Sequence, residues 1–168
     1  MKSNRFSLVL MIAAAGLFLS VSITAQNKTF SDPSVEYTFE IPEANWIMTN
    51  KSPNVEYVYN DKKDGHFEVR KLSVKSGEML ADVIRGEEQK LQFLPGYVAG
   101  KEENFQGAYN GRVFNFEYVR SSLNMSGRYY FLKVNDTTVY LLRFSGNRDK
   151  LRSIRNEVDL IARTFKLK

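Results

Sequence analysis

The single histidine of the 168-residue sequence, His66, is the first residue to consider as a catalytic or metal-binding group. Catalytic triads and zinc sites need partners at fixed spacing, and the sequence has neither a second histidine nor a cysteine. The paired acids Glu87-Glu88 and Glu102-Glu103 are scattered and match no calcium loop. No phosphate loop, dinucleotide fingerprint or Gly-x-Ser-x-Gly motif occurs. We therefore expect no enzyme, no metal and no cofactor, and an ordinary surface histidine.

Three arginines near the C-terminus have a spacing that points to binding. Arg148, Arg152 and Arg155 recur at i, i+4 and i+7 of a predicted helix, beside its apolar stripe. Cations near a helix N-terminus oppose the helix dipole, and this small cost could be tolerated for binding an acidic partner or an anionic surface. The alternative is a solvated helix face, on which Asp149 and Glu157 offset part of the charge.

The aromatic content is high, with 12 phenylalanines and 9 tyrosines. Aromatic side chains can line a pocket for a hydrophobic ligand, although on alternating strands they more often form the core. Tyr109, Tyr118 and Tyr129 are the first candidates for a ligand pocket or an interface, because a tyrosine has an apolar ring and a polar end. Trp46 follows a strand-ending proline and is predicted to fold back over the core.

Alternating apolar residues and turn motifs predict the elements that position these side chains. The predicted strands cover residues 35–41, 55–59, 67–74, 97–105, 106–109, 112–120, 128–134, 137–144 and 164–167. The predicted helices run from Ser76, as a capping residue, to about Gln92 and from Asn147 to Arg163. Asn110-Gly111 predicts a two-residue hairpin, and Asn135-Asp136 predicts another.

The late strands are apolar on both faces, so both faces should be covered. The sequence therefore predicts an α+β fold in which helices cover both faces of an antiparallel β-sheet.

The first 25 residues have the composition of a secretory signal peptide. Lys2 and Arg5 precede an apolar stretch, and small residues end at Ala25, which predicts a mature chain of residues 26–168 that forms one domain. The alternative is an uncleaved anchor, which would be the only membrane contact. The absence of cysteine fits a bacterial envelope, so we expect a periplasmic or extracellular protein. The net charge of +5 is mild, and export argues against nucleic acid as a partner.

One segment resembles the opening strand of PsbP-like domains: Tyr37-Thr-Phe-Glu-Ile-Pro42, followed by Trp46. Later features follow in the family's order over residues 29–167: the Asn110-Gly111 hairpin, the segments Tyr129–Phe131 and Val139–Leu142, and a last helix before Thr164-Phe165. Asn45 and Thr164 depart from the glycine and serine that are frequent in the family.

The resemblance implies an α/β/α sandwich around an antiparallel sheet. The family includes a photosystem extrinsic subunit, a nuclear-transport cofactor and bacterial envelope proteins, so it implies a tendency to bind proteins and assigns no functional residue. The leading hypothesis is an exported, non-enzymatic domain that binds another protein at the bacterial cell envelope. The alternative hypothesis is a carrier of a small hydrophobic ligand, held between sheet and helix.

Overall fold

The computed structural model describes residues 27–42, 44–62 and 64–168. The predicted signal peptide, residues 1–25, and the predicted new terminus at Gln26 lie outside the described residues. The strands are β1 (Asn27–Ser31), β2 (Tyr37–Pro42), β3 (Trp46–Asn50), β4 (Glu56–Tyr59), β5 (Gly65–Ser73), β6 (Val98–Phe105), β7 (Gly111–Arg120), β8 (Leu123–Lys133), β9 (Thr138–Asn147) and β10 (Lys166–Leu167). The helices are α1 (Leu80–Leu91), α2 (Arg148–Ser153) and α3 (Arg155–Thr164).

A seven-stranded antiparallel sheet forms the centre of the molecule, in the order β3-β4-β5-β9-β8-β7-β6. The middle strands β8 and β9 are buried along most of their length, as expected for strands that are apolar on both faces. Both outermost strands, β3 and β6, are mostly exposed. The predicted antiparallel sheet is confirmed.

Two hydrophobic clusters lie on the two faces of this sheet. Successive residues of a strand alternate between them, since Val113 belongs to the first cluster and Phe114 to the second. The first cluster contains residues of α2 and α3 together with β2, and the second contains Ile84 and Leu91 of α1.

A separate three-stranded sheet, β1-β2-β10, packs on the first face and was not predicted. The α+β class is therefore confirmed, but the first face is not covered by helices alone, as the predicted sandwich requires. Strand β1 and edge strand β3 were not predicted either, because only one residue in each, Phe30 and Trp46, is buried.

Helix α1 begins later than predicted. Ser76 does not cap it, because the Ser76 hydroxyl donates to Asp136 Oδ2 at 2.8 Å and Gly77 turns the chain with φ of +79°. Met79 occupies the cap position and makes no side-chain capping hydrogen bond. The helix predicted over 147–163 is broken at Ile154, which separates α2 from α3. Its predicted apolar stripe, Leu151, Ile154, Val158 and Ile161, is buried as expected.

The hairpins also differ from the predicted turns. Asn110-Gly111 does not form a two-residue turn, since β6 pairs Phe105 with Gly111 and residues 106–110 form the loop, without the short strand predicted at 106–109. The tightest hairpin joins β7 to β8 through Ser121 and Ser122, with φ of 50° and 61°. Positive φ at both positions defines a turn usually built from asparagine and glycine, so the serine pair gives no recognisable turn motif.

Candidate functional site

The three candidate arginines converge on one groove, which we call the arginine groove. It has a volume of about 420 Å³ and runs between edge strand β6 and the helices α2 and α3. Residues on both walls line it: Val98, Ala99 and Gly100 of β6, and Arg148, Arg152 and Arg155 of the helices. The break at Ile154 places Arg148 in the first turn of α2 and Arg155 in the first turn of α3.

Acidic side chains lie closer to these arginines than the sequence suggested. Arg148 is 3.7 Å from a carboxylate oxygen of Glu117 on β7 and 3.5 Å from one of Asp149. Arg155 is 3.5 Å from a carboxylate oxygen of Glu103 on β6 and 3.9 Å from one of Asp159. Arg152 forms no ion pair with any residue that the structure describes. The ion pairs of Arg148 and Arg155 are long and partly solvated, and pairs of this kind contribute about 0–1 kcal/mol. A ligand carboxylate can therefore compete for these arginines.

A fourth arginine, Arg128 of β8, forms the floor of the groove and was not predicted. It is only 8% exposed, and its Nη1 donates to Asn115 Oδ1 at 2.7 Å. Its Nε donates to the hydroxyl of Tyr130 at 2.6 Å, and its Nη2 donates to Asp159 Oδ1 at 3.2 Å. Burial raises the pKa of Tyr130, which stays neutral and also donates to Asp159. The only sequence indication is a charged residue directly before the apolar run Tyr129–Leu132.

Two of the three candidate tyrosines share a second cavity, which we call the tyrosine cleft. Tyr118 and Tyr129 line this space of about 840 Å³ between the C-terminal end of α1 and strands β7 to β9. Tyr109 lies elsewhere: it packs against the first hydrophobic cluster, and its hydroxyl accepts from the backbone N–H of Leu167 at 3.4 Å. The structure therefore groups Tyr118 with Tyr129 and separates Tyr109 from them.

The floor of the tyrosine cleft is aromatic. The ring of Phe116 lies 4.9 Å from that of Tyr129 and 5.8 Å from that of Tyr118, measured between centroids. Gly127 faces Phe116 across the β7–β8 pair, and a Cβ at Gly127 would lie 2.1 Å from the tip of the Phe116 ring. The glycine thus lets this ring lie flat over the neighbouring strand.

A chain of charged side chains runs from the floor of the cleft across the sheet. Arg143 of β9 donates from Nη2 to the Tyr129 hydroxyl at 2.8 Å and from Nη1 to Glu68 Oε2 at 2.9 Å. Arg70 of β5 donates from Nε to Glu68 Oε1 at 2.8 Å. Burial raises the pKa of Tyr129, and burial also raises the pKa of Tyr118 against the opposing effect of nearby Arg120. Both phenols are therefore neutral at physiological pH.

His66 is half-buried and paired, which differs from a solvated surface histidine. Its Nε2 lies 2.9 Å from Glu56 Oε2, and hydrogen bonding to His66 lowers the pKa of Glu56. Across the described ranges, no three histidine or acidic side chains are grouped so that they could hold a metal ion. Within the same residues, no helix is long and apolar enough to cross a membrane.

Scans against protein-family models and against curated protein sequences find no match. Solved structures do match. Cyanobacterial PsbP (CyanoP) from Synechocystis sp. PCC 6803 superimposes with a TM-score of 0.58 at 13% identity, over 95% of this chain and 99% of that one. The chain has a PsbP-like fold.

Two further structures share the PsbP-like fold. LpqN of Mycobacterium tuberculosis matches with a TM-score of 0.55 at 14% identity, over 85% of this chain and 91% of LpqN. PA94 of Pseudomonas aeruginosa, a protein of unknown function, matches with a TM-score of 0.54 at 15% identity, over 84% of this chain and 97% of PA94. At such identities the likeness establishes the fold, and function has to be argued from the two cavities.

Proposed function

We propose that this chain is an exported, non-enzymatic domain that binds a protein at the bacterial cell envelope, and that the arginine groove receives an acidic segment of that partner. The observation that carries the proposal is the convergence of Arg148, Arg152 and Arg155 on one groove beside an exposed edge strand. The similarity to LpqN, which is involved in cell envelope biogenesis, supports the cellular setting.

The electrostatics of the groove favour a carboxylate-bearing partner. Arg152 forms no ion pair with a described residue, and Arg148 and Arg155 stand in first turns, where the positive helix ends add to their field. Arginine presents several donors in one plane, so it binds a carboxylate through two parallel hydrogen bonds. A partner carboxylate would also relieve the repulsion between these cations.

Edge strand β6 makes an extended partner segment the best fit. Its residues from Val98 to Asn104 are all exposed, and an unpaired strand edge offers free N–H and C=O groups to another chain. Among the charged residues of this stretch, Glu102 pairs with Arg112 and Glu103 pairs with Arg155, whereas Lys101 forms no ion pair with a described residue. An acidic extended segment could then hydrogen-bond with the edge of β6 while its side chains reach the arginines.

The test replaces the three arginines with glutamine and follows crosslinking in the native cell. The matched control replaces three exposed cations elsewhere, Lys71, Arg85 and Lys166, so that both variants lose the same charge. We expect the groove variant to lose at least about nine-tenths of its crosslinks to one partner, because loss of complementary charge mainly slows association. The control should keep them.

The partner identified in this way is then purified and titrated against the wild-type domain. Binding should weaken as salt rises above about 0.15 M, where exposed charges are screened beyond about 8 Å. Equal crosslinking by the wild type and the folded groove variant would show that the arginine groove is not the docking face. A partner that lacks an acidic segment at the crosslinked site would contradict the proposal as well.

A further inference from the structure

The tyrosine cleft opens on the face of the sheet opposite to the arginine groove. Tyr129 in the cleft and Arg128 in the groove are neighbours on β8, and neighbours on a strand point to opposite faces. The proposed docking of a protein partner therefore does not use the tyrosine cleft. The side chains that line the cleft are not accounted for by that docking.

Much of the cleft suits an apolar ligand. Its floor is formed by the rings of Phe116, Tyr118 and Tyr129, and its walls include Leu91, Leu94 and Val119. A volume of about 840 Å³ falls within the range of about 300–1,000 Å³ typical of small-molecule sites. This part of the cavity matches an acyl chain or an aromatic ring rather than a sugar or a free inorganic ion.

The charged part of the cleft has an excess of cations. Arg70, Lys90, Arg120 and Arg143 all line it. Lys90 is neutralised by its ion pair with Glu87, but the single carboxylate of Glu68 is shared by Arg70 and Arg143. Arg120 has no ion pair with a described residue. Two positive charges are thus left without a matching carboxylate beside an apolar floor.

Hydrogen-bond donors are also left over. The Nε of Arg143 is buried and has no hydrogen-bond partner within the described residues, although a buried donor of this kind is costly. The Tyr129 hydroxyl accepts a bond from Arg143, so its own hydrogen is free to donate. Ser121 and Ser122 also line the cleft, on a turn whose positive φ angles are unfavourable for serine.

We propose that the tyrosine cleft binds a small amphipathic anion: an apolar acyl or aromatic body that carries one carboxylate or phosphate group. The apolar body lies on the rings of Phe116, Tyr118 and Tyr129. The anionic group lies toward Arg120 and Arg143, where it supplies the charge and the acceptors that the chain itself lacks.

The probe is 11-(dansylamino)undecanoic acid, whose fluorescence rises in an apolar site, and its methyl ester is the uncharged control. Both compounds are titrated into the predicted mature chain, residues 26–168. We expect the acid to bind at least about 10-fold more tightly than the ester, and raising the salt concentration should reduce this difference. Equal affinities, or no saturable binding of the acid, would overturn the proposal.

Two variants at one position locate the site. Val119 lines the cleft and is 36% exposed, so both Val119→Asp and Val119→Lys should leave the fold intact. We expect Val119→Asp to weaken binding of the acid at least about 10-fold relative to Val119→Lys, because the two differ in charge at the same place.

Arg120→Gln should weaken binding of the acid about 5-fold and leave binding of the ester unchanged. Arg152 lies on the other face of the sheet, so Arg152→Gln should change the binding of neither the acid nor the ester. A loss of partner crosslinking in this variant would therefore report on the arginine groove alone.

A membrane lipid is the other source of such an anion. Phe93, 90% exposed, follows α1 next to the cleft and could also touch a bilayer. Flotation with phosphatidylglycerol vesicles separates the two cases. If the chain binds these vesicles, loses that binding on Val119→Asp and does not bind the monomeric acid, the cleft is a membrane contact and the small-ligand proposal is wrong.

Discussion

Trp46 is the residue whose removal should cost the most stability for one side chain. It is 5% exposed, and its ring packs edge-on against Tyr59, Phe67 and Phe144 at centroid distances of 5.2, 6.4 and 6.1 Å. Its Nε1 donates to Glu157 Oε2 at 3.0 Å, which ties edge strand β3 to α3. The predicted burial of Trp46 is thus confirmed.

Trp46→Ala should lower the free energy of unfolding by about 3–5 kcal/mol, because it removes a large buried ring and leaves a cavity among aromatic neighbours. Domains have a total stability of about 5–15 kcal/mol, so the variant should be close to unfolding. Urea unfolding followed by far-ultraviolet circular dichroism measures the change, since it does not depend on tryptophan fluorescence. The slope of the transition should stay constant.

Trp46→Phe separates the hydrogen bond from the packing. Phenylalanine keeps most of the apolar contact and loses the hydrogen bond to Glu157. Trp46→Phe should therefore lower the free energy of unfolding by about 1–2 kcal/mol more in the wild type than in a Glu157→Leu background, where the bond is already absent. Trp46 is also the only tryptophan, so its emission reports its own burial. A wild-type emission maximum like that of free tryptophan, or a loss below about 1 kcal/mol for Trp46→Ala, would refute this account.

Three further changes test other parts of the molecule. Asp159→Ala should cost about 3 kcal/mol in thermal or urea unfolding, because it leaves the buried guanidinium of Arg128 without its main counter-charge. A loss near zero would show that water replaces the aspartate. Gly127→Ala should cost about 1–3 kcal/mol, since the added Cβ meets a phenylalanine ring at 2.1 Å, whereas Gly86→Ala on α1 meets nothing within 4 Å and should stabilise by about 0.5–1 kcal/mol. Intact mass of the exported chain should correspond to a start at Gln26, and a mass that includes residues 1–25 would indicate an uncleaved anchor.

Elements with strong periodicity could be predicted from the sequence, and pairings between distant segments could not. The apolar stripe of the last helix and the alternation in β8 and β9 identified these elements correctly. The strand predicted over residues 164–167 contains β10, but its pairing with β2, more than 120 positions earlier in the chain, could not be predicted from local pattern. The hairpin at Ser121-Ser122 escaped prediction because neither serine is typical of its turn.

Only some of the residues that line the two cavities could be predicted from the sequence. Helical spacing placed Arg148, Arg152 and Arg155 together and allows the local pairs with Asp149 and Asp159. The pairs with Glu117 of β7 and Glu103 of β6 join distant segments, so they could not be predicted. In β9, apolar Val139 and Leu141 share a face with polar Arg143 and Ser145, and this change marks where the cleft begins. A face that turns from apolar to charged along one strand therefore indicates where a cavity begins.

The small sheet joins the two ends of the described chain. Strand β2 has β1 on one side and β10 on the other, and Lys168 reaches back to donate to the carbonyls of Asp32 and Val35. A chain that emerges N-terminus first, from a ribosome or from a translocation channel, cannot close this sheet until its last residues are free. Contacts at such separation slow folding, so closure of the small sheet should be a late step. Loss of residues 166–168 would remove β10 and leave one edge of β2 unpaired.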